Sequence, residues 1–256
     1  MPRNQSSTAR FSSRAGNYAR FRPGYPNAVV ELLARASALS SESVIADIGS
    51  GTGLLSAAFL ECGYAVVGVE PNREMRKAGE SLLAKYPRFH SADAKAEATS
   101  LPDRSVDLIV AGQAFHWFNV PATRCEWIRI SRPGGIAALI WNERHVESPL
   151  MRAVESVVDK YAASMDPDGA IREGGRSRIQ ALFDPRPFRL DEFPNVQHFG
   201  LEGLVGRIAS CSYVPDEDTP GYAEMADELA RIFESFERDG SIPFEYITKV
   251  YWGALV

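Results

Sequence analysis

The residues in the first half of this chain that could do chemistry stand just after short apolar runs. Val44-Ile45-Ala46-Asp47-Ile48 is followed by Gly49-Ser50-Gly51-Thr52-Gly53, with a glycine at every second position. The run is too short for a helix and suits a buried strand, and the glycines turn the chain behind it. Glycine lets backbone approach a ligand without Cβ interference, and a helix opening next offers its N–H groups to polar or anionic atoms. The same glycines would also serve a tight turn that holds nothing. A dinucleotide fingerprint would place its third small residue three after the second glycine, where Leu54 stands; Gly53 comes one residue early. A second apolar run ends in Glu70-Pro71, and Glu70 lies 70 − 51 = 19 residues beyond Gly51, close to the roughly 20 expected of a carboxylate that accepts ribose hydroxyls. A solvated strand end is the alternative for Glu70. Asp93, after Ser91-Ala92, reads as a ligand-facing acid or as a helix N-cap.

Elements able to position these residues alternate along the chain. The spacing predicts helices over Asn27 to Ala38, Leu54 to Cys62, Arg73 to Lys85 and Ala122 to Ile130, and strands over Val44 to Ile48, Ala65 to Val69, Arg88 to Ser91, Val106 to Ala111 and Ile136 to Trp141. Such alternation builds βαβ units and a parallel sheet covered on both faces. After Trp141 a long helix, Pro149 to Ala163, leads into polar, glycine-rich stretches at Asp166 to Gly169 and Glu173 to Arg176, and another helix follows to Phe183. An insertion beyond the carboxyl end of a sheet strand lies where open α/β sheets bind ligands, so residues 142–183 are expected to form a helical lid. Phe188 to Phe199 and Phe244 to Trp252 read as closing strands in an antiparallel hairpin, with helices from Leu201 and Gly221 between them.

Asp47-Ile48-Gly49-Ser50-Gly51-Thr52-Gly53 resembles motif I of the class I S-adenosylmethionine-dependent methyltransferases. Val66 to Pro71, Ser91-Ala92-Asp93-Ala94, the strand Val106 to Gly112 with Gln113-Ala114-Phe115-His116-Trp117-Phe118, and Arg132-Pro133-Gly134-Gly135 match further motifs in order. The likeness covers roughly Ala9 to Trp141 and is most similar to the small-molecule branch containing trans-aconitate methyltransferase-like proteins. It implies a Rossmann-like, seven-stranded, mostly parallel sheet. It also implies S-adenosylmethionine as cofactor and S-adenosylhomocysteine as product. By the same resemblance the cofactor would lie on Asp47, Gly49, Ser50, Gly51, Thr52, Gly53, Glu70, Pro71, Asp93, Ala94, Gln113 and Trp117. Asp93 would hold the adenine amino group. Tyr18, Arg22 and Tyr25 would belong to an amino-terminal segment, residues 1–26, that closes over a core of residues 27–141; residues 184–256 return to the sheet.

The expected reaction is methyl transfer to an oxygen of a small molecule by in-line displacement. Positioning alone can supply about 7 to 11 kcal/mol of such a barrier, and no metal is required. A carboxylate acceptor is already ionised at neutral pH; a hydroxyl needs a base, for which His116 is the best placed residue. Trp117 could lie against the sulfonium or adenine, where cation–π contact is worth about 0.5 to 2 kcal/mol. Packing is the alternative for both rings. Arg22, Arg144 and Arg152 are candidate anchors for an acidic substrate through bidentate pairing, or solvated surface charges.

Composition narrows the field. With 28 Lys and Arg against 33 Asp and Glu, the chain has a net charge of −5, which argues against a surface that tracks nucleic-acid phosphates. Cys62, Cys125 and Cys211 are an odd number at wide spacing, so neither a disulfide framework nor a zinc site is indicated, and a reducing cytoplasm is expected. No run approaches the roughly 18 apolar residues of a membrane span. The arginine- and serine-rich stretch Met1 to Arg22 also has the composition of a transit peptide. Carbon or nitrogen methylation of a small metabolite stands as the alternative reaction. Further off are a nicotinamide-dependent dehydrogenase, which Leu54 argues against, and a protein that binds the cofactor without turnover.

Overall fold

The computed structural model describes residues 20–162, 167–211, 213–215 and 217–256, and of residues 167–174 the backbone alone. Tyr18 and the rest of residues 1–19 lie outside the described residues. The elements run α1 (Asn27–Ala36), β1 (Val44–Ile48), α2 (Leu54–Glu61), β2 (Ala65–Val69), α3 (Arg73–Leu83), β3 (Phe89–Ala92), β4 (Val106–Gly112), a 3-10 turn (Phe115–Trp117), α4 (Val120–Ile130), β5 (Ser131–Arg144), α5 (Pro149–Tyr161), α6 (Pro167–Phe183), β6 (Arg189–Phe199), α7 (Leu201–Ala209), α8 (Tyr222–Phe236) and β7 (Ile242–Ala254). They build one seven-stranded sheet of order β3-β2-β1-β4-β5-β7-β6. The first five strands are mutually parallel, while β7 runs antiparallel to both β5 and β6. This is the Rossmann-like architecture with a terminal antiparallel hairpin that the sequence leads one to expect.

Alternation along the central strands explains the two covered faces. Ala46, Ile48, Ile109, Ala111, Ala137 and Leu139 face a core that includes Trp127 of α4 and Ile179, Leu182 and Phe183 of α6. Their neighbours Ile45, Leu108, Val110, Ala138 and Ile140 face Val29, Val30 and Leu33 of α1 and Leu55, Ala58 and Phe59 of α2. A third apolar cluster lies past the carboxyl ends of the parallel strands. Arg144 at the end of β5 pairs with Tyr246, and the β6–β7 ribbon continues beyond it to the pair Phe199↔Ile242. On this overhang α5, α7 and α8 pack through Met151, Val154, Val158, Leu204, Ile208, Met225 and Leu229. The result is a helical cap over one end of the sheet.

Three details depart from the sequence reading. β5 starts at Ser131 and runs to Arg144, and the Arg132-Pro133-Gly134-Gly135 stretch bulges out between the pairs Val106↔Ser131 and Leu108↔Ile136. α6 runs unbroken through Gly169, Gly174 and Gly175, read above as part of glycine-rich linkers. Each glycine costs a helix about 1 kcal/mol, which burial of Ile179, Leu182 and Phe183 against the sheet offsets. In consequence the stretch 142–183, expected as one lid, is divided: it contributes the end of β5, the cap helix α5 and the face-covering helix α6.

Candidate cofactor and acceptor site

The glycine turn joins β1 to α2 and is fastened to the neighbouring strand. Gly49 and Ser50 both donate their N–H to the Val69 carbonyl, at 2.8 and 3.2 Å, and Gly53 N–H donates to Ser50 O at 2.8 Å. Gly49 has φ +70°, and a Cβ there would stand 2.6 Å from Ala114 Cβ; Gly53 has φ +84°, and a Cβ there would stand 2.6 Å from Leu83 Cδ1. Both positions therefore exclude a side chain by conformation and by space. No side chain caps α2, unlike α3, α4 and α5, which Asn72, Asn119 and Ser148 cap. The Thr52 hydroxyl is buried in the turn and has no hydrogen-bond partner among the described residues. Such an orphan is uncommon in a folded protein and asks for a ligand or water.

Glu70 closes the turn from the end of β2. Its Oε2 accepts the Gly51 N–H at 2.9 Å and its Oε1 the Asn72 N–H at 2.8 Å. A carboxylate offers about four lone-pair directions, so two are left for other donors. Burial raises the pKa of Glu70, against the pull of those two N–H groups and Arg76. Asp93 follows β3 and accepts from Arg76 Nη2 at 2.7 Å, while Arg76 Nη1 donates to Glu70 O at 2.8 Å. No helix follows Asp93, which removes the N-cap reading. Arg76 was missed in the sequence; its only signal is a cation in the first turns of the helix that follows Glu70. Pro71 lies exposed beside Glu70, and Ala94 is buried in the core behind Asp93.

Asp47 points away from solvent, at 1 % exposure. Its Oδ2 accepts the Ser56 hydroxyl at 2.6 Å, tying the end of β1 to the first turn of α2. Burial, chiefly, pushes its carboxyl up to about 7. Its geometry is that of a residue that positions the turn.

At the end of β4, Gln113 takes φ +56°. Its N–H donates to Ile140 O at 2.9 Å and its Nε2 to Asn142 O at 3.1 Å. The 3-10 turn that follows is anchored by Phe115, packed edge-on against Phe118 and Trp141 at 6.0 and 6.4 Å between centroids. The rings of His116 and Trp117 lie 4.8 Å apart with their planes tilted by 49°, and Trp117 is 43 % exposed, so core packing is not its role.

The segment 22–25 crosses from this strand end to the cap. Gly24 O accepts from Asn142 Nδ2 at 3.2 Å and from Asn195 Nδ2 at 2.9 Å. Tyr25 Oη occupies the place where a Cβ on Gly112 would be. Arg22 donates to Ser210 O at the end of α7, at 3.0 Å, which places it at the cap. Of the other arginines proposed as anchors, Arg144 holds Glu155 with both Nε and Nη2, at 2.6 and 3.1 Å. Arg152 is exposed and turns to Glu147 O.

Comparison with known proteins gives a consistent result. Residues 46–139 match the family described as methyltransferase domain. An uncharacterised methyltransferase of Mycobacterium bovis is 34 % identical over 206 residues, covering 79 % of this chain and 76 % of that one. An uncharacterised methyltransferase of Schizosaccharomyces pombe is 25 % identical over 253 residues, covering 94 % and 95 %. Among solved structures, a protein from Anaeromyxobacter dehalogenans named as a type II methyltransferase superposes with a TM-score of 0.70 at 23 % identity, covering 92 % of this chain and 99 % of that one. Among the described residues, no helix is long and apolar enough to cross a membrane.

Proposed function

From the premise that this chain belongs to the class I S-adenosylmethionine-dependent methyltransferases, we propose that it methylates an oxygen of a small molecule bound between the strand ends and the cap. S-adenosylmethionine, its cofactor, carries an activated methyl on a sulfonium and needs no metal to transfer it. The residues fit that group. The uncapped first turn of α2 offers N–H groups to the carboxylate of its amino-acid portion, and the unpartnered Thr52 hydroxyl adds a donor in the same turn. Glu70 has two lone-pair directions for ribose hydroxyls, and Asp93 stands one strand further on for the adenine amino group. Asp47 and Arg76 act through others, the first by fixing α2 and the second by holding Asp93 beside Glu70.

The observation that carries the small-molecule reading is the cap. α5, α7 and α8 sit on the overhanging β6–β7 ribbon, and the segment 22–25 bridges from that cap to the end of β4. A cap and a bridging segment supplied by the chain itself on the side where the acceptor would enter favour a compact substrate over a polymer. The arginines at the cap, Arg22, Arg144 and Arg207, favour an acceptor already ionised at neutral pH. Its oxygen then attacks without a base, and the chain's work is orientation and exclusion of water.

The test is turnover with deuteromethyl-labelled cofactor over a panel of carboxylic acids, hydroxylated compounds and amines, read by mass spectrometry. Label in a base-labile methyl ester supports the reading, and label on nitrogen or carbon sinks it. His116→Asn sharpens the result. With a carboxylate acceptor kcat should stay within a few-fold, whereas loss of a true general base costs about 10²- to 10⁴-fold.

A further inference from the structure

The 3-10 turn at the end of β4 is held from α6. Arg178, on that helix, donates from Nη2 to the Phe118 carbonyl at 2.7 Å, and its guanidinium carbon stands 5.8 Å from the centroid of the Phe115 ring. One side chain thereby fastens the turn on both sides of His116 and Trp117. Within the turn the bonds are few: Trp117 N–H donates to Ala114 O at 3.0 Å and Phe118 N–H to Phe115 O at 3.1 Å. Bonds of this i→i+3 kind have poor geometry, so the position of the turn is set by what it leans on. Arg178 stands on a fixed base, because Ile179, Leu182 and Phe183 of the same helix are buried against the sheet.

The same turn lies on the cofactor loop. A Cβ on Gly49 would stand 2.6 Å from Ala114 Cβ and 3.2 Å from Phe118 Cζ, so these two residues cover the first glycine of Gly49 to Gly53. The Phe118 ring meets Phe115 and Trp127 of α4 edge-on, at 6.0 and 6.2 Å between centroids. The path from Arg178 to Gly49 therefore runs through one residue, whose carbonyl takes the hydrogen bond and whose ring makes the contact. Gly49 and the turn follow β1 and β4, neighbours at the point where the strand order reverses, which is where open α/β sheets bind their ligands.

We propose that Arg178 is a positioning residue for cofactor binding: it sets the 3-10 turn so that Phe118 shapes the glycine loop and Trp117 is presented at the ligand crevice. It acts through Phe118 and not by contact with the cofactor. The role is independent of which atom of the acceptor is methylated. An arginine that only clamped α6 in place would affect stability alone.

The test uses the full chain with S-adenosylhomocysteine as the probe. Arg178→Met, which keeps the apolar stem, should weaken its binding roughly three- to tenfold in calorimetric titration, a part of what a charged hydrogen bond is worth because the effect is transmitted through Phe118. Arg178→Lys, which can still donate to the Phe118 carbonyl, should recover most of the loss. Phe118→Leu takes the ring from Gly49 and leaves that carbonyl in place, so it should weaken binding as well. The double variant of Arg178→Met with Phe118→Leu should lose less than the two single losses multiplied, since both act on one contact. Trp117 supplies a second readout: the difference in acrylamide quenching between each protein and its Trp117→Phe counterpart reports that ring alone, and S-adenosylhomocysteine should protect it less in Arg178→Met than in wild type. Should Arg178→Met not fold, Arg178→Gln supplies the same comparison. Affinity within about twofold of wild type overturns the proposal even where the melting temperature falls, as do single losses that multiply in full and equal protection of Trp117.

Discussion

Replacing Glu70 by Gln separates two jobs that one carboxylate does in this structure. Oε2 and Oε1 each accept a backbone N–H, from Gly51 at 2.9 Å and Asn72 at 2.8 Å. A glutamine has one acceptor oxygen, so one of those N–H groups loses its partner, at a cost on the order of 1–3 kcal/mol to the free protein. The hydroxyls of a bound ribose lose a charged acceptor as well, worth about 1.5–3 kcal/mol. S-adenosylhomocysteine affinity should therefore fall by about tenfold to a hundredfold. Calorimetric titration reads the second loss, and thermal unfolding without ligand reads the first. The pH dependence adds a sign. Burial raises the pKa of Glu70 above 4.5, and ribose binding favours the ionised form, so wild-type affinity should decline as pH falls toward that raised value while the Gln variant stays flat. If the variant is destabilised but binds S-adenosylhomocysteine within about twofold of wild type, Glu70 only staples the turn and its assignment to the ribose is wrong.

Other perturbations follow from the same geometry. The Asp47 pKa is raised from 3.8 to about 7 by burial, so its contribution to stability is full below pH 4 and lost as pH rises through 7. Asp47→Asn should flatten that decline in thermal unfolding measured across the interval, and an unchanged slope would refute the shift. Gly49→Ala should cost about 1–2 kcal/mol for the left-handed backbone and more for overlap with Ala114 Cβ, and should depress cofactor binding; urea unfolding at a wild-type midpoint would contradict it. Glu126 accepts Arg129 Nε at 2.8 Å and Nη2 at 2.7 Å, and the Thr99 N–H and hydroxyl at 2.7 and 2.6 Å. With the Arg129 bonds as the main cause, its pKa drops to about 2, so its stabilising effect is present above 4.5 and is lost as pH falls from there. Glu126→Gln should lower stability by about 1–3 kcal/mol near neutral pH and remove that acid limb, as thermal unfolding at pH 3 to 7 would show.

The amino-acid order alone was enough to determine the cofactor and to place the glycine turn and the acids at the strand ends. Its motifs are local: the turn after Val44–Ile48, the acid that ends β2 and the one that follows β3 each sit within a few residues of the strand that aims them, so spacing reports geometry. Tertiary structure decided the rest. Asp47, legible as a motif acid, is turned inward to Ser56 by the packing of α2 on the sheet. Arg76 joins Glu70 to Asp93 only because β2 and β3 are neighbours. The glycines of α6 read as breakers, yet burial of Ile179, Leu182 and Phe183 holds the helix against the sheet. Arg178 has no sequence signal, and its partner Phe118, 60 residues earlier in the chain, is brought to it by the packing of α6 on the sheet. A cation acquires its role from what surrounds it in space, and contacts between residues so far apart in the chain leave no periodicity to read.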